Sequence, residues 1–202
     1  MEDPLKIAVL ESAKPGSRAA KGKHSLRRSA LRLCAVGGLY AAASAVLAVA
    51  GAVPAAPIIA GMGVDNYYAW QIVFVLPLIV AAWVLASGVI LALGEKGARK
   101  SAVLAGTARA FSGPLFAAWV PMAVEAAFLA LGMGQEEWVG ILSEPGFWQT
   151  LYIAVYAGAA AGAVLRAVLV ARTVHRRSWP AAILTGLAAA VLAVGTHALF
   201  IR

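Results

Sequence analysis

The chain is poor in the residue types on which most enzymes and metal sites depend. Its single cysteine, Cys34, excludes an intramolecular disulfide, a dithiol redox pair and a cysteine-based metal cluster. It has only two aspartates, Asp3 and Asp65, both outside the long apolar runs, which excludes an intramembrane aspartyl protease. The sequence contains no His-x-x-x-His or Glu-x-x-His pair and no Gly-x-x-x-x-Gly-Lys phosphate loop. We therefore expect no catalytic residue, no metal site and no cofactor.

Charged residues are also scarce, and their scarcity indicates whether the chain lies in water or in a lipid bilayer. Only 13% of the 202 residues are charged, whereas 62% are apolar, and the mean hydropathy is +0.82. Soluble domains average about half apolar and a quarter charged residues. The sequence therefore predicts an integral membrane protein, which we place in the cell membrane. Arginine in excess of lysine and a high alanine content favour a bacterial inner membrane.

Five apolar stretches have the length of about 20 residues that a helix needs to cross the bilayer. We place them at about 33–53, 69–93, 113–131, 150–171 and 180–201. The sequence thus predicts an all-α polytopic membrane helix bundle with five transmembrane helices over residues 32–202. Residues 1–31 form a basic segment, predicted to be a mostly mobile tail. An alternative reading treats 25–50 as a cleaved signal peptide, which would leave four spans.

Basic residues mark alternate connections, which predicts the orientation of the chain. The connections 54–68 and 132–149 contain no Lys or Arg, whereas the N-terminal segment, the connection 94–112 and the last connection are basic. By the positive-inside rule, the N-terminus is cytoplasmic and the C-terminus is outside. The candidates for cytoplasmic docking or lipid contact are Lys96, Arg99, Lys100, Arg172, Arg176 and Arg177. Their expected partner is anionic phospholipid rather than nucleic acid, because no aromatic residues alternate with the basic ones.

Two ionisable residues fall within predicted spans, where a charge is costly and often functional. Glu125 lies in the third span and Arg166 in the fourth. One hypothesis links them as a gate or a polar binding site. In the other, Arg166 extends to the inner head groups, and Glu125 is protonated or bonded to a neighbouring hydroxyl.

Small residues in the fourth span indicate close helix packing. Gly158 and Gly162 form a Gly-x-x-x-Gly motif, which allows two helix backbones to approach closely. The motif fits packing within the bundle, and it also fits the interface of a homo-oligomer.

The run "YYAWQIVFVLPLIVAAWVLASGVILALGEKGARKSAVLAGTARAFSGPLFAAWVP" (67–121) and the closing "VLVARTVHRRSWPAAILTG" resemble the bacterial form of the Yip-domain (Ypt-interacting protein) family. The resemblance covers about residues 30–202. It implies a multi-pass scaffold without known catalysis. Eukaryotic members act in vesicle transport and bind small GTPases. This chain lacks their Asp-Leu-x-Gly-Pro stretch before the first span, which argues against GTPase binding.

These observations predict an integral membrane scaffold or interaction protein. Its basic cytoplasmic face would organise the membrane or recruit a membrane-protein partner, with no enzymatic activity. The alternative is a small transporter or channel subunit that uses Glu125 and Arg166 inside the bundle.

Overall fold

The computed structural model describes residues 15–54, 66–94, 99–175 and 178–200, with side chains described over 25–54, 66–94, 99–175 and 178–196. These residues form six helices and no strand: α1 (Pro15–Val49), α2 (Tyr67–Ala92), α3 (Lys100–Ala130), α4 (Gln135–Ser143), α5 (Phe147–His175) and α6 (Trp179–Phe200). All but α4 are long and apolar enough to span a membrane, counting α1 from Ser25 and α6 to Thr196. The predicted five-helix membrane bundle is confirmed, and the chain is a multi-pass membrane protein.

Two helices extend beyond the predicted spans into segments predicted to be non-helical. Helix α1 begins at Pro15, inside the segment 1–31 predicted to be a mobile tail. Helix α3 begins at Lys100, so most of the predicted connection 94–112 is helical. Lys, Arg and Ala have high helix propensity, and extending an existing helix avoids the cost of nucleation. Charge therefore marked the ends of the apolar runs but not the ends of the helices.

The five spanning helices form a closed ring. Along the ring, α1 packs against α3, α3 against α5, α5 against α6, α6 against α2, and α2 against α1. Helix α2 also contacts α3 across the ring. The beginnings of α1, α3 and α6 and the ends of α2 and α5 share one end of the bundle, which we call the basic end. At the opposite end, the described residues carry no Lys or Arg and three acidic side chains, Glu136, Glu137 and Glu144.

Polar side chains connect the helices at a few points inside the ring. Tyr40 of α1 donates to the carbonyl of Leu115 at 3.1 Å, and Trp119 of α3 donates back to the carbonyl of Leu39 at 2.9 Å. Between α2 and α3, Trp83 Nε1 donates to Thr107 Oγ1 at 3.0 Å. The Ser87 hydroxyl lies 2.6 Å from the same oxygen. Apolar lipid gives no hydrophobic driving force for helix association. In a membrane, hydrogen bonds between helices therefore contribute to holding the bundle together.

An aromatic cluster closes the end opposite the basic end. Helix α4, which the sequence did not predict, places Trp138 between Phe128, Trp148 and Tyr152, with ring centroids 5.0 to 5.8 Å apart. Trp138 is only 1% exposed. It therefore belongs to the core and not to an interfacial aromatic belt, whereas Trp70 and Trp179 are about half exposed and fit a position at the head groups.

Candidate functional site

A polar groove opens at the basic end between α3 and α5. Its volume is about 840 Å³. The first three turns of α3 form one wall and the last turns of α5 form the other, with Ser25 of α1 at the rim. The described lining residues are Ser25, Arg99, Ser101, Ala102, Ala105, Gly106, Arg109, Ala110, Arg166, Leu169, Val170, Thr173 and Val174. We call this feature the arginine groove.

Three arginines give the groove its charge. Arg99, Arg109 and Arg166 line it, and its described lining includes no Asp or Glu. Arg109 lies nine residues after the start of α3 and Arg166 nine residues before the end of α5, so both lie about 14 Å from the basic end. Because the two helices run antiparallel, the backbones of these two residues share one depth. Their side chains extend in opposite directions: Arg109 Nε donates to the carbonyl of Ala105, nearer the basic end, at 3.3 Å, whereas the Arg166 guanidinium reaches Gly113, farther from that end.

The amino terminus of α3 adds a second source of positive potential. Its N-cap residue, Arg99, makes no side-chain capping bond, and its carbonyl accepts bonds from Ala102 and Val103. The amide groups that precede these in the first turn have no helical acceptor and attract anions. Arg99 and Ser101 line the groove beside them. The groove can therefore bind a phosphate or carboxylate through guanidinium and backbone N–H groups.

Between the basic end and the level of Arg109 and Arg166, the groove walls are apolar and closely packed. A Cβ added to Gly106 of α3 would lie 3.1 Å from Val170 Cγ1 of α5, so glycine allows the two helices to approach. Ala105, Ala110 and Leu169 complete this surface. A ligand in the groove thus meets positive charge at Arg99 near the mouth, positive charge at Arg109 and Arg166 farther in, and hydrocarbon on the walls.

Arg166 lies against Gly113 of α3. A Cβ added to Gly113 would be 2.8 Å from an Nη atom of Arg166, so glycine leaves room for the guanidinium there. Glu125 lies twelve residues farther along α3, a helical rise of about 18 Å. The structure therefore does not bring Arg166 into contact with Glu125. A joint role of the two residues in gating or polar binding stays a hypothesis.

Glu125 itself is part of the core. Its side chain is 3% exposed, and it takes part in a polar or electrostatic contact with its surroundings. It lies on the part of α3 that approaches the end opposite the basic end, away from the arginine groove.

A second cavity lies at the centre of the ring. Its volume is about 280 Å³, and its surface is almost wholly apolar. All five spanning helices contribute to the wall, whose residues are Leu33, Ile79, Ala82, Trp83, Phe111, Pro114, Leu115, Ala118, Tyr156, Ala159, Ala160, Ala163, Ala193 and Val194. We call this feature the central cavity.

The basic residues predicted for docking have different surroundings. Arg99 lines the groove, and Lys100 is exposed at the start of α3. The Arg172 guanidinium lies 3.8 Å from the ring centroid of Trp179, where it links α5 to α6. Lys96, Arg176 and Arg177 lie outside the described residues. Arg109, which sequence reasoning counted only as a loop charge, is the groove residue it missed.

The close helix contact is not at the predicted glycine pair. A Cβ added to Gly158 would meet nothing within 4 Å, and one added to Gly162 would make an ordinary contact of 3.7 Å with Pro114. At Gly186 of α6, by contrast, an added Cβ would lie 2.5 Å from the backbone of Val168. Gly186 therefore lies at a close backbone contact between α5 and α6, and Gly158 is exposed.

Among the residues that the structure describes, no three His, Cys, Asp or Glu side chains are grouped in a way that could hold a metal ion. Comparison of the chain with protein-family models, with curated proteins and with solved structures found no match.

Proposed function

We propose that the chain is a non-catalytic membrane-organising protein that holds anionic phospholipid head groups in the arginine groove and recruits a membrane-protein partner on the same face. The observation that carries this proposal is the grouping of Arg99, Arg109 and Arg166 around one groove whose described lining includes no acidic residue. We further propose that the basic end faces the cytoplasm of a bacterial cell. The resemblance to the Yip-domain family supports the scaffold role.

Several physical features favour a lipid head group in the groove. Guanidinium groups form charge-assisted, often bidentate bonds with phosphate, and the amino terminus of α3 adds to their field. Helix α3 has 31 residues, so it is about 46 Å long and extends beyond the roughly 30 Å hydrocarbon layer. The groove therefore lies near the depth of the phosphates. The cytoplasmic leaflet is rich in anionic lipid, which matches this charge.

The first experiment measures lipid binding to the full-length protein. The protein is purified in mild detergent, and native mass spectrometry follows the retention of phosphatidylglycerol and of phosphatidylcholine. We expect phosphatidylglycerol to be retained preferentially. Arg109→Gln and Arg166→Gln should each weaken its binding, and Arg166→Gln should do so about tenfold, because it removes one charge-assisted bond.

Arg28→Gln is the matched control. It removes the same charge from an exposed position at the basic end, and Arg28 does not line the groove. We expect it to leave phosphatidylglycerol retention unchanged. Equal retention of both lipids by the unmodified protein would refute the lipid role of the groove.

The second experiment tests partner recruitment. The tagged protein at its native level is purified in mild detergent, and co-purifying proteins are identified and quantified by mass spectrometry. A partner in constant ratio, lost when Lys96, Arg99 and Lys100 are changed together to Gln, supports docking on this face. A monomer or homo-oligomer without any partner contradicts the scaffold role and makes solute flux in proteoliposomes the next measurement.

A further inference from the structure

The arginine groove and the central cavity follow one seam between α3 and α5. On α3, Gly106 and Ala110 line the groove, and Pro114 and Ala118 line the cavity. These four residues are spaced by four, so they form one stripe on a single helix face. The two sites are therefore consecutive along the seam, with the groove toward the basic end.

Helix α5 shows the same order on its side of the seam. Ala159 and Ala163 line the cavity, and Arg166 and Val170 line the groove. The spacings of four, three and four again place these residues on one face. On both helices, the seam is therefore lined by groove residues near the basic end and by cavity residues farther from it, and the change occurs at the same depth.

Arg166 lies at the boundary between the two sites. Its guanidinium is beside Gly113, and the next residue of α3, Pro114, already lines the cavity. A phosphate bound to Arg166 would therefore lie at the basic-end mouth of the central cavity. A hydrocarbon chain joined to that phosphate would point into the cavity.

The size and surface of the cavity suit a hydrocarbon chain. An apolar cavity of about 150 Å³ accommodates benzene and does not take up water. The central cavity is larger, about 280 Å³, and has no ring of polar groups to stabilise water. Without an occupant, its lining would lose van der Waals contacts. The surrounding bilayer supplies acyl chains at high concentration.

We propose that the seam binds one anionic phospholipid molecule, with its phosphate on Arg166, Arg109 adding positive charge nearer the basic end, and one acyl chain inside the central cavity. The second chain remains in the bilayer. This inference rests on the proposed function of the groove and adds the chain site and the stoichiometry. A soluble phosphate would leave the cavity unfilled, and an uncharged hydrocarbon would leave the arginines without an anion.

The test uses photolabelling of the full-length protein in nanodiscs. The probe is phosphatidylglycerol that carries a diazirine near the middle of one acyl chain, and mass spectrometry locates the labelled residues. We expect labels on buried or partly buried cavity residues such as Phe111, Leu115 and Ile79. Labels confined to outward-facing side chains such as Phe116 and Leu165 would overturn the chain site.

Two variants of α5 show whether loss of labelling comes from filling the cavity or from adding a large side chain anywhere on this helix. Ala163→Phe places a ring in the cavity, whereas Ala161→Phe adds the same group at an exposed position. We expect Ala163→Phe to abolish labelling of cavity residues and Ala161→Phe to preserve it. If Ala163→Phe does not fold, Ala118→Leu fills part of the cavity from α3. Persistent cavity labelling in a folded filling variant would refute the proposal.

The lipid-retention experiment by native mass spectrometry, described above, distinguishes failure of the acyl-chain site from failure of the head-group site in the groove. If phosphatidylglycerol is still retained preferentially and depends on Arg109 and Arg166, while no cavity residue is labelled, the groove binds a head group and the chain site is wrong. If neither arginine affects retention, the proposed function is wrong, and the one-lipid site fails with it.

Discussion

The imidazole ring of His175 lies directly against Gly94. A Cβ built on Gly94 would be 2.0 Å from Cε1 of His175 and 2.5 Å or less from both ring nitrogens. His175 is the last residue of α5, and Gly94 lies two residues after the end of α2. The contact therefore joins the ends of two helices at the basic end, and it requires glycine on one side.

Gly94→Ala is expected to destabilise the protein because the added methyl group overlaps a buried ring. Overpacking of this kind costs about 1–3 kcal/mol. Reversible unfolding in mixed detergent micelles measures the free energy. Gly88→Ala on α2 is the control, because its Cβ would meet nothing within 4 Å. His175→Ala should largely relieve the effect of Gly94→Ala, and a purely additive double variant would contradict the proposed contact.

Gly186→Ala is expected to be more damaging than Gly94→Ala. Its Cβ would lie 2.5 Å from the Cα and N atoms of Val168, and backbone atoms cannot move away by changing rotamer. We expect a loss of about 3 kcal/mol in unfolding free energy. Gly195→Ala on the same helix has open space around it and should be nearly neutral. Equal stability of the two variants would show that α5 and α6 do not cross at Gly186.

Thr107→Val tests the polar contact between α2 and α3. The substitution keeps the shape of the side chain and removes the hydroxyl that accepts from Trp83 and bonds with Ser87. Interhelical bonds in membranes average about 0.6 kcal/mol and reach about 1.7 kcal/mol, so we expect a loss of about 1 kcal/mol. Thr196→Val removes a hydroxyl that bonds within its own helix and should cost less. The same unfolding measurement compares the two.

Glu125→Gln separates the scaffold from a proton-coupled carrier. The amide preserves the size of the side chain and its capacity for hydrogen bonds, but it cannot titrate. A scaffold should keep its partner and its retained phosphatidylglycerol, and proteoliposomes should show no uptake driven by a pH gradient. Uptake by the unmodified protein that is lost in Glu125→Gln, but kept in the exposed control Glu136→Gln, would favour the transporter.

Hydropathy was sufficient to predict the five spanning helices, because crossing hydrocarbon imposes a minimum apolar length. It could not predict where α1 and α3 begin. Arg109 was read as a loop charge, yet a helix can carry charges on a face that lines a polar groove. Helix α4 was also missed, since its nine residues are too short to form a span and its burial depends on contacts with Phe128 and Trp148.

The candidate site was only partly predictable for a related reason. The sequence identified Arg99 and Arg166 by their charge, and both line the groove. The position of Arg166 in the same groove as Arg99 and Arg109 depends on the antiparallel register of α3 and α5, which no local pattern reveals. The glycine motif shows the same limit. The spacing of Gly158 and Gly162 indicates a helix face of small residues, but packing determines whether that face meets a neighbour, and the close contact occurs at Gly186.

The order of helices around the ring affects how the bundle assembles during synthesis. Helix α6 is the last of the five spanning helices along the chain, yet it fits between α2 and α5 and supplies Ala193 and Val194 to the cavity wall. Until α6 inserts, the four earlier helices form an open trough that faces the bilayer. An acyl chain can enter this trough sideways, and docking of α6 then adds the last wall of its site. The chain site is therefore complete only after the last span has inserted.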